Sequence, residues 1–258
     1  MKDTFLHILL SLCIIFGFIQ PATAMIDIVP QKIVMEARDR NADFTILNLY
    51  NKTGTFRVEL LSYRQDENGI YQKLESPLNS DFDPNNIVRF SPRQFTLEPG
   101  AKQKVRLLIR KPGNLPDGEY RFHVKTSRFA SDEERKENQG SVSIVMNTGI
   151  VIPVVVRHGK TFSDAKITQA NMTQSGNEMV IDVEREGSAS TIGQLNIYEI
   201  NGIKEEKIGT ISNANIFEEI TQRRFKVPLK KRPDSEVVIR YSDEVQKGKI
   251  FDEMSVSF

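Results

Sequence analysis

Few side chains in this 258-residue chain have the type and spacing to do chemistry. The single cysteine, Cys13, lies in an apolar N-terminal run. Outside that run there is therefore no thiolate nucleophile, no disulfide and no cysteine-based metal site. The histidines outside it, His123 and His158, stand apart with no metal-ligand spacing around either, and both read as solvent-facing. Carboxylate pairs occur at Glu133-Glu134, Glu205-Glu206, Glu218-Glu219 and Asp252-Glu253, a composition that suits solvated loops and strand ends better than general acid–base work. No nucleophile elbow, phosphate-cradling glycine loop or HExxH pair is present. Catalytic triads are set by space and not by sequence, so missing motifs weigh against an enzyme without excluding one. The expectation is a protein that binds, with no enzymatic activity, no cofactor and no metal.

The elements that would have to position a binding surface centre on residues 139–160. Val142, Ile144 and Met146 alternate with Ser141, Ser143, Val145 and Asn147, which puts the first three on one face of a strand. From Ile150 to Val156 the same run is apolar on both faces, as in a strand buried on both sides. A charged segment, 131–138, precedes it, and the strand pattern restarts after Lys160. One long strand thus closes a first domain, presents an apolar row and leads into a linker.

Residues 5–19 are almost wholly apolar and are followed by Pro21 and Ala22-Thr23-Ala24, a small-x-small site. This is the pattern of a secretory signal peptide over 1–24, cleaved before Met25. A membrane anchor is the competing reading, but the run is shorter than the roughly 20 residues that a spanning helix needs. Lys2 and Asp3 cancel, so the remaining chain keeps the formal charge of +1. That balance gives no argument for nucleic acid or for an anionic membrane.

Short alternating segments recur along the chain. Phe56, Val58 and Leu60 alternate with Arg57 and Glu59; Val105, Leu107 and Ile109 with Lys104, Arg106 and Arg110; Tyr120, Phe122 and Val124 with Arg121, His123 and Lys125. Turn signals separate them at Asn68-Gly69, Glu98-Pro99-Gly100 and Pro116-Asp117-Gly118. Pro30 confines the segment 26–36 to a sheet edge or to a break between two strand pieces. Seven or more such strands predict an antiparallel immunoglobulin-like β-sandwich over 25–157. A second, smaller β-sandwich is predicted over 158–258, with 215–224 open to a short helix or a loop. The fold class is all-β.

The order of these motifs resembles a known family. Arg89-Phe90-Ser91-Pro92-Arg93-Gln94-Phe95, then Leu97-Glu98-Pro99-Gly100, then 103–106, then Leu115-Pro116-Asp117-Gly118-Glu119-Tyr120-Arg121 are similar to the first domain of the periplasmic PapD-like chaperones of the chaperone–usher pilus pathway. The likeness is carried by 25–157 far more than by 158–258. It implies two sandwiches in an L-shaped arrangement, located in the periplasm. Its implied partners are pilus or fimbrial subunits and an outer-membrane usher, with no nucleic acid and no membrane insertion after signal cleavage. It also implies that Val142, Ile144 and Met146 form a donor strand that fills the groove of an incomplete subunit; chaperone–pilin complexes are a recognised case of strand addition. The competing reading is that these three side chains face their own domain's core.

Two further sites come from the same resemblance. Lys32 matches a basic residue that anchors the subunit's terminal carboxylate, whereas the family's second basic residue falls on Val151. Arg157, Glu119 and Asp243 match an ion network across the domain junction. Two other classes stay open: a secreted two-domain adhesin or structural surface subunit, and a periplasmic enzyme with a site hidden in the cleft.

Overall fold

A computed structural model of the chain describes residues 26–130 and 148–257. The described residues form four sheets. Strands β1 (Ile26–Val29), β3 (Asn41–Asn48), β8 (Lys102–Ile109) and β6 (Val88–Ser91) make the first, in the order β1-β3-β8-β6. The second has the order β2-β10-β9-β4-β5, built from β2 (Ile33–Met35), β4 (Gly54–Gln65), β5 (Tyr71–Leu74), β9 (Gly118–Ala130) and β10 (Thr148–His158). In it β7 (Gln94–Leu97) also pairs with β4. This is the strand order of an immunoglobulin sandwich. The hydroxyl of Tyr120, near the start of β9, donates to the Pro116 carbonyl at 2.8 Å, the corner bond such sandwiches use. Phe44, Phe56, Leu107, Phe122, Ile152 and Val154 lie in the shared core.

The alternating sequence pattern produces this core directly. On β8, Val105, Leu107 and Ile109 are buried while Lys104, Arg106 and Leu108 are exposed. The Pro30 break separates β1 from β2, and the two pieces join different sheets. Ser91 and Pro92 do the same for β6 and β7. Residues after Asp83 form a single helical turn, α1 (Pro84–Ile87), with Asp83 accepting from the Asn85 N–H as its N-cap. Gly69 has φ +81°, as the β4–β5 hairpin turn requires.

The other two sheets form a second sandwich. One is β11 (Ser163–Met172), β12 (Glu178–Gly187) and β15 (Gln222–Pro228); the other is β14 (Lys204–Ile211), β13 (Gly193–Asn201), β16 (Val237–Asp243) and β17 (Ile250–Val256). Ile181, Ile197, Phe225, Ile239 and Tyr241 fill it. The segment left open at 215–224 is a bridge at Ile216, a turn, and the start of β15. Strand β11 was not predicted: only Ala165 and Ile167 alternate inward before a bulge between Ile167 and Gln169 shifts the register.

Candidate functional site

Strand β10 runs between the two sandwiches, and its two ends have different surroundings. Along one edge it pairs antiparallel with β9 through its whole length. Along the other it pairs with β2, in parallel, only from Val154 to Val156. Among the described residues no strand pairs with the outer edge of residues 149–153. Pro153, which has no N–H to give a neighbouring strand, sits where prolines in sheets are tolerated, at that edge. Val142, Ile144 and Met146, expected to form a donor strand, lie outside the described residues, as do Glu133 and Glu134.

Beside the open edge is a cleft of about 400 Å³. Ile150, Val151, Ile152 and Pro153 line one side, and Asn213, Asn215 and Arg223 of the second sandwich line another. Val151 is 38% exposed, so the position where a second basic anchor was expected holds an apolar, solvent-facing side chain. Lys32 sits one residue before β2, at the point where the edge becomes occupied. Its Nζ already has a carboxylate partner: it donates to Glu244 Oε2 and, at 2.9 Å, to Asn213 Oδ1. Burial pulls the Lys32 pKa down to about 8, with the Asp243 carboxylate opposing the shift.

From Val154 onward β10 is locked. Ile152, Val154 and Val156 face the first core, opposite Val124, Phe122 and Tyr120. Val155, on the other face, packs with Ile192 and Phe217 of the second sandwich in a separate small core. This explains why the sequence is apolar on both faces here.

Polar groups surround that small core. Arg157 stands opposite Glu119 on the neighbouring strand, and Nε donates to Glu119 Oε2 at 3.3 Å. Arg157 Nη1 reaches Glu36 Oε1 at 2.9 Å, and Nη2 reaches the Ser190 carbonyl. Ser190 in turn donates to Glu119 from its N–H and its hydroxyl. Glu119 and Arg157 therefore pair within the first sandwich, on neighbouring strands, and reach the second sandwich through Ser190. Asp243 does not join them: its Oδ1 accepts from the N–H groups of Val245 and Gln246, and Ser190 and Glu36 complete the network instead. The reason is local, since a carboxylate at the end of β16 can cap the following turn.

His123 is not solvent-facing. It is 2% exposed and lies between the rings of Tyr63 and Tyr71, with centroids at 5.0 and 5.6 Å. Burial, with Arg121 adding to it, holds its pKa down to about 3, so the imidazole is neutral. The face of β9 opposite Phe122 is covered at His123 by Tyr63 and Tyr71 of the β4–β5 hairpin and at Arg121 by Phe217 of the second sandwich, which alternation within one strand cannot report.

Glu218-Glu219 is likewise not a solvated pair. Glu219 Oε1 accepts from Arg121 Nη2 at 2.5 Å and from the Gln65 N–H at 2.8 Å. The Arg121 guanidinium lies 3.7 Å over the Phe217 ring. Burial raises Glu218 to about 7, with Glu119 and Glu219 adding to the shift. The other two described pairs are structural: Asp252 accepts from the Ile167 N–H, while Glu205 and Glu253 both pair with Arg240. His158 is half-buried at the end of β10. Sequence reasoning missed Arg121, Arg223 and Glu244. The available signal for Arg121 was its place on the same face as His123, next to a strand apolar on both sides.

The sequence matches no family model and no curated protein. Among solved structures it is similar to the chain in a chaperone–tip adhesin complex of CFA/I fimbriae biogenesis, at 13% identity and TM-score 0.49, over 91% of this chain and 98% of that one. It is also similar to the chaperone DraB of E. coli, at 14% identity and TM-score 0.46, over 90% of this chain and 98% of that one. A third is the CsuC–CsuE chaperone–tip adhesion subunit complex of Acinetobacter baumannii, at 14% identity and TM-score 0.43, over 90% of this chain and 98% of that one. These are proteins the chain is similar to, and the cleft and junction described above rest on its own residues alone.

Proposed function

We propose that this protein is a periplasmic chaperone that binds pilus or fimbrial subunits by lending them a β-strand and delivers them to an outer-membrane usher. The observation that carries this reading is the open outer edge of β10 at 149–153, beside a cleft between two sandwiches. An unpaired edge is a liability that proteins normally blunt or cover, so one kept open next to a cleft serves as a pairing template. An incoming strand gains main-chain hydrogen bonds along the edge and specificity from alternate side chains.

The donor row extends the same logic. Val142, Ile144 and Met146 share the sequence parity of Ile150 and Ile152, which lie on the core side of β10. A row in that phase would carry the first domain's core beyond its own last strand and into a partner's groove. Each fully buried aliphatic side chain would contribute roughly 1.5–3 kcal/mol. The Arg121–Glu219 pair and the bonds of Ser190 to Glu119 and Arg157 link the two sandwiches, and a junction held in this way would leave edge and cleft preformed. Preorganisation of this kind lowers the cost of binding.

Periplasmic co-purification from the native cell tests the reading, with the intact protein beside Ile144→Arg. A small secreted β protein should come down in equal amount with the intact chain and be absent with Ile144→Arg, whose unfolding curve should be unchanged. Recovery of no partner by either form, with both normally folded, would sink the chaperone reading and bring the two-domain adhesin forward.

A further inference from the structure

Past Leu61, strand β4 leaves its own sheet. It pairs with β9 only from Gly54 to Leu61, and from Ser62 to Gln65 its partner among the described residues is β5 alone. A two-stranded ribbon is marginal by itself in water, so this one needs a surface to lie on. That surface belongs to the second sandwich. The Gln65 N–H donates to Glu219 Oε1 at 2.8 Å, and the Arg224 N–H donates to the Glu67 carbonyl at 2.8 Å, main chain to main chain. Glu219 lies in the turn before β15 and Arg224 lies on β15 itself. The other edge of β15 pairs with β12, so the hairpin tip blunts an outer sheet edge of the second sandwich. Within the tip, Asp66 Oδ1 accepts from the N–H groups of Asn68 and Ile70, which shapes the turn from its own residues. Gly69 then packs so closely on Arg223 that a Cβ there would run into the guanidinium.

The same ribbon carries Tyr71 into the cleft. The Tyr71 ring stands edge-on to His123 at 5.6 Å and tilted against Phe217 of the second sandwich at 6.3 Å. His123 is the cross-strand neighbour of Pro153, and Tyr71 lines the cleft together with Val151 and Pro153. The ring is 43% exposed, so much of it is free to meet an occupant. A strand added along 149–153 turns every second side chain to the face that Val151 and Pro153 share, and so toward this ring.

We infer that the β4–β5 hairpin is a strap that clips the second sandwich to the first, and that it holds Tyr71 as the wall against which the cleft-facing side chains of an added strand pack. The strap stands on its own hydrogen bonds; the role of Tyr71 rests on the strand-addition reading and deepens it. Few hydrogen bonds close the strap and each is of small net worth, so it can open without unfolding either sandwich.

The full chain after removal of residues 1–24 tests both parts. Gly69→Asn keeps a residue type that tolerates the positive φ of the turn and brings a side chain into Arg223. The Arg224 amide should be protected from hydrogen exchange in the wild type and should exchange about tenfold faster in Gly69→Asn. The amide of Phe225, opposite Ile181 inside the second sandwich, should be unchanged, and X-ray scattering should give a larger radius of gyration for the variant. An Arg224 amide unprotected in the wild type overturns the strap, and so does a Gly69→Asn chain whose scattering matches the wild type. For Tyr71 the probe is a synthetic peptide of about ten residues with alternating valine and serine, long enough to cover the edge. Calorimetry gives its affinity, and exchange at the amides of Ile150, Val151 and Ile152 reports its addition separately. The wild type should bind it about tenfold tighter than Gly69→Asn and than Tyr71→Ser, whose Arg224 amide stays protected. Equal affinity in the wild type and Tyr71→Ser overturns the role of Tyr71 and leaves the strap standing. A wild type that neither binds the peptide nor protects its edge amides overturns strand addition, and the role of Tyr71 falls with it.

Discussion

The two ends of β10 face the same neighbour and are built in opposite ways. From Val154 to Val156 the strand has a partner on each edge and an apolar core on each face, and Arg157 just beyond makes a buried ion pair. Over 149–153 it has one partner strand among the described residues, an exposed Val151 and a cleft. The locked end fixes how the sandwiches meet, and the open end is what that fixed meeting displays. A binding edge can stay open only if the rest of the molecule does not close over it, and the junction supplies that constraint.

Breaking the junction should produce the largest effects. Arg121→Ala removes the guanidinium from Phe217 and leaves Glu219, whose side chain is 10% exposed, without its cation. Orphaning one member of a buried pair typically costs about 3–5 kcal/mol, which urea unfolding would read. A loss below about 1 kcal/mol would mean that this end of the molecule is no more tightly held than a surface site.

Glu119→Ala should come next, at about 2–3 kcal/mol, because it strips Arg157 and Ser190 of a buried acceptor. Glu36→Ala touches the same arginine from a side chain that is 53% exposed and should cost less than about 1 kcal/mol. Equal losses in the two variants, measured by the same unfolding assay, would erase the distinction between buried and rim charges in this network.

Acidity offers a subtler probe of the same region. His123 binds its proton in the folded state only near pH 3, whereas an unfolded histidine does so near 6.5. Between those values the unfolded chain holds more protons, so the His123 contribution is fully present above about pH 6.5 and is lost as pH falls toward 3. Glu218 has the opposite sign. Its folded pKa of about 7 lies above the unfolded value near 4.5, so its contribution is lost as pH rises through 7. Thermal unfolding against pH should show a flatter acid limb in His123→Phe and a gain at pH 8 in Glu218→Gln that shrinks toward pH 5.

The smallest effect belongs to the open end. Val151→Lys should change stability by less than about 0.5 kcal/mol, since the side chain is already 38% exposed at an open edge. A larger shift in its unfolding midpoint would mean that the edge is packed rather than open.

Much of this architecture was legible in the chain. Period-two alternation located the strands of the first sandwich, and Pro30 marked a break between two strand pieces that the structure puts in different sheets. The resemblance placed Glu119, Arg157 and Asp243 in one network, and the two-faced apolar run of β10 anticipated a strand buried on both sides. Strand β11 was invisible because a bulge interrupts an already sparse apolar row. His123 and the Glu218-Glu219 pair were assigned to solvent because alternation gives the side of a strand and not what covers that side.

The sequence by itself determined the strands, their inward faces, the turns between them and the lack of any motif with ready chemistry. Those properties are local: each follows from neighbours two to four residues away. Only the tertiary structure decided which charges meet. Lys32 and Glu244 are 212 residues apart, and Arg121 and Glu219 are 98 apart. Such pairs form because two independently folded surfaces are pressed together, and no periodicity within either surface records the other.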